Sequence, residues 1–276
     1  MPLQNQKIGF LGGGAMAEAL ITGLLRSGLV EPASVYASDI TAVRQEYLKQ
    51  KFGIQTADNS TVVSAADIVV LAVKPQAIPG LLEEIAPAAR PEQTVVSIVA
   101  GISTGFIEAF FKVPVPVVRV MPNTPCLVGE GASALCPGKF CLQPNMELAM
   151  AILKASGQAV VVDESMMDCV TGLSGSAPAY MYLIMEGFID GAVRLGLSRD
   201  VARVLTAQTM LGSAKMVLET GEHPAKLKDM VTTPGGTTIA GLYALEEGAL
   251  RSVLMKAVAE AALRSSQLAP GKNSKT

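Results

Sequence analysis

The chain has one histidine in 276 residues, His223, and it precedes Pro224. A single imidazole beside a proline is expected on a surface turn, and it argues against a mechanism built on histidine acid–base or nucleophilic chemistry. The four cysteines, Cys126, Cys136, Cys141 and Cys169, show no CxxC spacing. With one histidine they do not reach the ligand count of a structural metal site, so no metal is expected and the thiols are expected to be free and buried. Charge is also scarce. Only 17% of residues are charged, against about 25% in an average soluble domain. The balance is −2 with Lys and Arg scattered, which gives no footprint for nucleic acid or an acidic membrane surface. Long apolar runs are missing too: 68-IVVLAV-73 falls far short of the ~20 residues of a membrane span. MPLQNQKIGF lacks the charged leader and apolar stretch of a signal peptide, and a cytoplasmic protein is expected. No GxSxG elbow, GxxxxGK[ST] loop or HExxH helix occurs.

Half of the residues are nevertheless hydrophobic. A chain of this size buries roughly 75% of its unfolded surface without a staple, and the apolar surplus points to a buried subunit interface, hence an oligomer. The length admits one large domain or two smaller ones. Over residues 7–163, short apolar runs (KIGFLG, SVYASD, DIVVLAV, QTVVSIVAG, PVVRVMP, QAVVVDE) alternate with helical patterns such as 15–28 and 41–53. Runs that are apolar throughout suit strands buried on both faces of a parallel sheet. Their βαβ rhythm predicts a doubly wound α/β fold. From about residue 165 strand signals cease, and long helices are expected over 176–196, 198–221 and 248–268, with Ser198 as an N-cap and Gly196 and Gly221 as stops. The final APGKNSKT is expected to be disordered.

The first strand runs into GFLGGGAMAEAL, which holds Gly12-x-Gly14-x-x-Ala17. Gly12 permits the tight turn, Gly14 lets a pyrophosphate approach the backbone, and Ala17 lets helix and strand pack closely. The following helix presents free N–H groups to the phosphates. Asp39 ends the second strand, where an acid grips a ribose 2′-hydroxyl and favours NAD; a helix cap is the plainer role for it. Arg44, five residues on, could instead reach a 2′-phosphate. LAVKPQ places Lys74 at the carboxyl edge of the sheet, where ligands of open α/β sheets bind. At the same edge, MPNTPCLVGEG brackets Asn123 and Thr124 with prolines. TGLSGSAPAY sets Thr171, Ser174, Gly175 and Ser176 around a helix start, a place for a small carboxylate or simply for helix caps. With so few titratable groups, hydride transfer is the chemistry that fits, because a cofactor carries the hard step.

Later, 227-LKDMVTTPGGTTIAGLYALE-246 breaks the helical half with four threonines and a Pro-Gly-Gly. That is more hydroxyl than one helix cap requires, and it is expected to line a substrate pocket. Taken with GFLGGGAMAEAL, LAVKPQ, RVMPNTP and TGLSGSAPAY, it resembles the pyrroline-5-carboxylate reductases, the last enzymes of proline biosynthesis. The likeness runs in order from Lys7 to about Leu268, and its most specific part is this last stretch.

The resemblance implies a Rossmann-type domain over residues 1–163 and an all-α dimerisation domain over 164–270, with residues 271–276 as a tail. Dimers of the family often assemble further into decamers. It implies reduction of 1-pyrroline-5-carboxylate to L-proline by NADPH or NADH. Carried over by motif, Gly12, Gly14, Ala15 and Met16 lie at the phosphates. Asn59, Ala72, Val73, Lys74 and Pro75 lie near the adenosine and nicotinamide halves, with Ala100 and Gly101 beyond and Asn123 at the nicotinamide edge. Thr238 lies near the imine nitrogen, although Thr237 fits equally on residue type alone. Ser174, Gly175, Ser176, Thr232, Thr233, Gly235 and Gly236 hold the carboxylate. Asp39 departs from the neutral or basic groups of many members, so both cofactors are expected. A 3-hydroxyacid dehydrogenase would need a catalytic lysine, for which Lys215 is the sole candidate, and lacks its asparagine. A non-catalytic nucleotide sensor would have no need of an imine pocket.

Overall fold

The computed structural model describes residues 2–268, so the expected tail at 269–276 lies outside the described residues. The chain forms two compact units. One is built from residues 2–176 together with 260–268, the other from Ala177–Ala259.

The first unit alternates strands and helices in the expected rhythm: β1 (Ile8–Leu11), α1 (Ala15–Arg26), β2 (Val35–Ser38), α2 (Ala42–Phe52), β3 (Gln55–Thr56), α3 (Asn59–Ala65), β4 (Ile68–Leu71), α4 (Ile78–Ile85), β5 (Thr94–Ser97), α5 (Thr104–Glu108) and β6 (Val117–Met121). Then come β7 (Gly131–Pro137), α6 (Gln143–Lys154), β8 (Gly157–Val161) and α7 (Met167–Val170). The strands form one sheet in the order β3-β2-β1-β4-β5-β6-β7-β8. Its first six strands are those of a doubly wound dinucleotide-binding fold.

Every residue of β1, β4 and β5 is buried, and the two faces of the sheet take alternate side chains. Ile8, Phe10, Ile68 and Val70 pack with Leu20 and Leu24 of α1 and Ile152 of α6. Leu11, Val69, Leu71 and Val95 pack with Val62 of α3 and Leu82 of α4. Burial on both faces explains why these strands are apolar throughout.

Three local expectations are corrected. The sheet is not wholly parallel, because β7 runs antiparallel to β6; its sequence GASALCP is built of residues poor in strand propensity. The run QAVVVDE is not buried on both faces, since β8 pairs only with β7 at the sheet edge and leaves Val160 and Val161 exposed. The thiols are not all buried: Cys126 and Cys136 are, Cys141 is partly so and Cys169 is exposed, and all four are free.

In the second unit stand α8 (Ala177–Arg194), α9 (Arg199–Thr220), α10 (Pro224–Met230) and α11 (Thr237–Glu247). With them is about half of α12 (Leu250–Leu268). Gly221 ends α9 in the left-handed conformation as expected, but Ser198 makes no side-chain cap there. His223 is exposed and caps α10, its Nδ1 accepting the Ala225 N–H at 3.2 Å. Neither α8 nor α11 has a buried residue, and Met181, Leu183, Phe188, Leu205 and Tyr243 stand in the open. Among the described residues no helix is long and apolar enough to cross a membrane.

Candidate cofactor and substrate sites

Parallel pairing brings the carboxyl ends of β1, β4, β5 and β6 to one edge of the sheet. At the end of β1, Gly12 donates its N–H to the Ser38 carbonyl (3.0 Å) and holds φ +99°. A Cβ there would meet the Ala72 carbonyl oxygen at 2.7 Å and Val73 at 3.0 Å. Ala72 and Val73 therefore form the wall behind the turn, with exposed Lys74 and Pro75 continuing outward. Gly14 is different: it is exposed, extended and faces open space. It caps α1 without a side chain, and Glu18 is the first residue of the helix whose N–H reaches a carbonyl, that of Gly14 (3.0 Å). The N–H groups of Ala15, Met16 and Ala17 are left without helical carbonyl partners. An uncapped helix start beside open space fits a pyrophosphate, which would be held by these N–H groups and the positive end of the helix.

Asp39 closes the side of this turn. One carboxylate oxygen accepts the Gly13 N–H (3.0 Å), and the other accepts the Thr41 N–H and hydroxyl (both 2.9 Å). Partial burial works to raise its pKa, but these hydrogen bonds and the Arg44 charge more than reverse that and hold it below the usual carboxylate value. Arg44 is held at three points. Its Nε donates to the Gly13 carbonyl, its Nη2 pairs with Glu18, and its guanidinium lies 4.6 Å over the Tyr47 ring. Asn59, at the start of α3, accepts from the Ser38 hydroxyl (2.6 Å) and donates to Glu84 (2.9 Å). Ala100 is exposed after β5, and Gly101 holds φ +75°.

Asn123 after β6 is buried, and both ends of its amide are engaged within the protein. It donates to the Ser174 carbonyl (3.1 Å) and accepts the Ala132 N–H (2.9 Å). That bond brings the MPNTP loop and residues 171–176 together. Thr171–Gly175 form a π-helical turn, closed by the Ser176 N–H on the Thr171 carbonyl (2.8 Å). Such wide turns recur at functional sites because they push backbone groups out of the regular ladder. The Ser174 hydroxyl bonds back to the Val170 carbonyl (3.2 Å) and caps nothing.

In the second unit, Gly235 at φ +68° and Gly236 lead into α11. The Gly236 N–H reaches the Thr233 carbonyl (3.0 Å), and a Cβ on Gly236 would strike the Thr233 hydroxyl. Thr232 spends its hydroxyl on the Lys228 carbonyl (2.7 Å). Ala240 is the first residue of α11 to reach a carbonyl, so the N–H groups of Thr237, Thr238 and Ile239 are free of helical partners. Among the described residues, no hydrogen bond takes the Thr237 or Thr238 hydroxyl. Lys215 lies mid-helix in α9, its amine largely exposed and 3.5 Å from Glu219.

Two groups escaped the sequence. Glu18 gathers Arg44, Lys51 (2.7 Å) and the Tyr47 hydroxyl (2.9 Å). Glu164 accepts the Thr104 N–H and hydroxyl (both 2.8 Å) and Arg119 (3.2 Å), steadying the loop after β5. Their partners lie tens of residues away, so no local pattern marks them. Among the described residues, no cluster of His, Cys, Asp and Glu could hold a metal.

Two family models match the chain, the NADP oxidoreductase, coenzyme F420-dependent domain over residues 7–101 and the pyrroline-5-carboxylate reductase dimerisation domain over residues 164–268. The pyrroline-5-carboxylate reductase of Methanosarcina acetivorans is 45% identical over 96% of this chain and 99% of its own length. The solved structure of a pyrroline-5-carboxylate reductase from Coxiella burnetii superposes with a TM-score of 0.91 at 37% identity, covering 96% of this chain and 98% of that one. The Plasmodium falciparum pyrroline carboxylate reductase, solved with NADP bound, gives 0.84 at 33% identity over 95% and 97%. With likeness of this depth along nearly its whole length, on a fold with an uncapped dinucleotide turn, the chain belongs to the pyrroline-5-carboxylate reductase family.

Proposed function

We propose that this chain reduces 1-pyrroline-5-carboxylate to L-proline, with NADPH or NADH as hydride source. The observation that carries the reading is the family membership together with two uncapped helix starts, at α1 and α11. Bound NAD(P)H would supply a hydride to the carbon of the C=N bond, and the nitrogen would take its proton from solvent. In the first unit, the N–H groups of Ala15 and Met16 and the open face of Gly14 would hold the pyrophosphate, with Ala72 and Val73 walling the nucleotide and Lys74 at the rim. Ala100 and Gly101 would edge the nicotinamide half, and Asn123 would act by positioning the Ser174–Ser176 segment, not by touching the cofactor.

In the second unit, the Thr238 hydroxyl would donate to the imine nitrogen, drawing electron density from the carbon that hydride attacks. The N–H groups of Thr237–Ile239, reached past Gly235 and Gly236, suit the substrate carboxylate; so do the polar groups of Ser174–Ser176. No strong acid or base is required of the protein, in keeping with the single exposed histidine. Self-association belongs to the same reading: α8 and α11 have no buried residue within one chain, and a homodimer would cover them. A cytoplasmic location is supported by four free thiols.

The test is oxidation of reduced nicotinamide on addition of 1-pyrroline-5-carboxylate, followed at the nicotinamide absorbance. Thr238→Ala is expected to lower kcat about 10- to 100-fold, the worth of one well-placed hydrogen bond, and Thr238→Ser to restore most of it. Tight cofactor binding with no turnover by the wild type would overturn the reading.

A further inference from the structure

NADPH differs from NADH by one phosphate on the adenosine ribose, and a site that accepts it needs a cation near the end of β2. Of the three cations on α2, Arg44, Lys49 and Lys51, two, Arg44 and Lys51, are held by Glu18. Arg44 pairs with Glu18 on the first turn of α1 and donates to the Gly13 carbonyl, and Lys51 reaches the other Glu18 oxygen at 2.7 Å. The Tyr47 hydroxyl (2.9 Å) completes the shell around Glu18, whose side chain is only 17% exposed. Beside them, Asp39 keeps its carboxylate on the Gly13 N–H, and the next residue is the fully exposed, apolar Ile40. The four charges Asp39, Glu18, Arg44 and Lys51 cancel, so this cluster offers no surplus positive charge to a phosphate dianion. A phosphate there would compete with a partly buried carboxylate for Arg44 while Asp39 repelled it.

We propose that Glu18 is a specificity-determining residue which, by holding Arg44 and Lys51, turns the cofactor site toward NADH and leaves Asp39 to receive a ribose hydroxyl. The proposal rests on the dinucleotide site assigned above to the β1–α1 turn. Glu18 acts through its two cations and is a positioning residue, so activity alone does not test it.

Calorimetric titration of NADH and NADPH, and of 5′-AMP against 2′,5′-ADP, reads the preference directly. Wild type is expected to bind NADH more tightly than NADPH. Glu18→Gln should tighten NADPH and 2′,5′-ADP about tenfold, as one charge-assisted contact allows, while NADH and 5′-AMP stay within about twofold. Adding Arg44→Ala to Glu18→Gln should remove the gain, a coupling that a merely structural role would not produce. Asp39→Ser, which leaves the Glu18 cluster intact, should also raise the relative affinity for NADPH, and it keeps the test open if Glu18→Gln folds poorly. A preference of the wild type for NADPH, or an unchanged NADPH-to-NADH ratio in folded Glu18→Gln, overturns the role of Glu18. Binding of neither dinucleotide by the wild type overturns the site itself.

Discussion

Gly12 and Gly14 stand two residues apart in one motif, and alanine at the two positions is expected to fail in opposite ways. At Gly12 the new Cβ would lie 2.7 Å from the Ala72 carbonyl oxygen and 2.9 Å from its carbon, on a backbone at φ +99°. The obstacle is main chain and cannot step aside, because the Ala72 N–H is bonded to the Leu11 carbonyl at 2.8 Å between two central strands. Strain of about 1–3 kcal/mol plus the clash gives a loss of roughly 3–5 kcal/mol, or a Tm lower by roughly 10 °C.

At Gly14 the backbone is extended and nothing lies within 4 Å of the added carbon. The gain of about 0.4–1 kcal/mol from a stiffer unfolded chain is offset by alanine's poorer N-capping, which costs a similar amount. Stability should stay near wild type. The methyl would nevertheless occupy the approach to the helix N–H groups. Loss of one charge-assisted hydrogen bond there weakens NADH or NADPH about 10- to 100-fold. Thermal denaturation followed by cofactor titration separates the two variants. A Gly14→Ala protein that binds cofactor like wild type, or that melts as early as Gly12→Ala, would refute this placement of the pyrophosphate.

Asn123→Asp keeps the acceptor for the Ala132 N–H but sets a carboxylate against the Ser174 carbonyl. It should cost about 2–3 kcal/mol in denaturant unfolding and raise KM for pyrroline carboxylate while cofactor Kd holds. Burial tends to raise the Glu18 carboxyl, but hydrogen bonds from Lys51, Arg44 and Tyr47 override it and hold the pKa at about 2 against 4.5. With the folded value the lower one, the stabilisation is complete above about pH 4.5 and fades as pH falls toward 2. The stability gap between wild type and Glu18→Gln should therefore narrow over that window and stay flat near neutrality; a constant gap would refute the ion-pair account. Leu183→Asp or Phe188→Asp, on the exposed apolar surface of α8, should shift sedimentation toward monomer and make Tm lower and concentration-dependent.

Much of the first unit was legible because its strands are buried on both faces. Ile68–Leu71 and Thr94–Ser97 announce themselves as apolar runs, and turn chemistry marks the β1–α1 junction. β7 was not legible, since Gly-Ala-Ser-Ala earns its place by pairing with β6 and not by propensity. The exposure of Val160 and Val161 was equally hidden: edge or centre is a property of strand order, which no single strand encodes. Among the candidate site residues, Gly12, Gly14 and the threonines around Gly235 and Gly236 could be picked out locally, because φ, capping and hydroxyl content are local matters.

The amino-acid sequence by itself thus determined the element order, the dinucleotide turn, the hydroxyl-rich helix start and the family. Only tertiary structure decided what the polar side chains spend their hydrogen bonds on. Asn123 serves Ser174 and Ala132, Asp39 serves Gly13 and Thr41, and Arg44 is withheld by Glu18. The pairings of Asn123 with Ser174, Asp39 with Gly13 and Arg44 with Glu18 join residues 51, 26 and 26 positions apart in the chain. Because a buried or half-buried charge must find a partner wherever the fold offers one, no local pattern could have announced them.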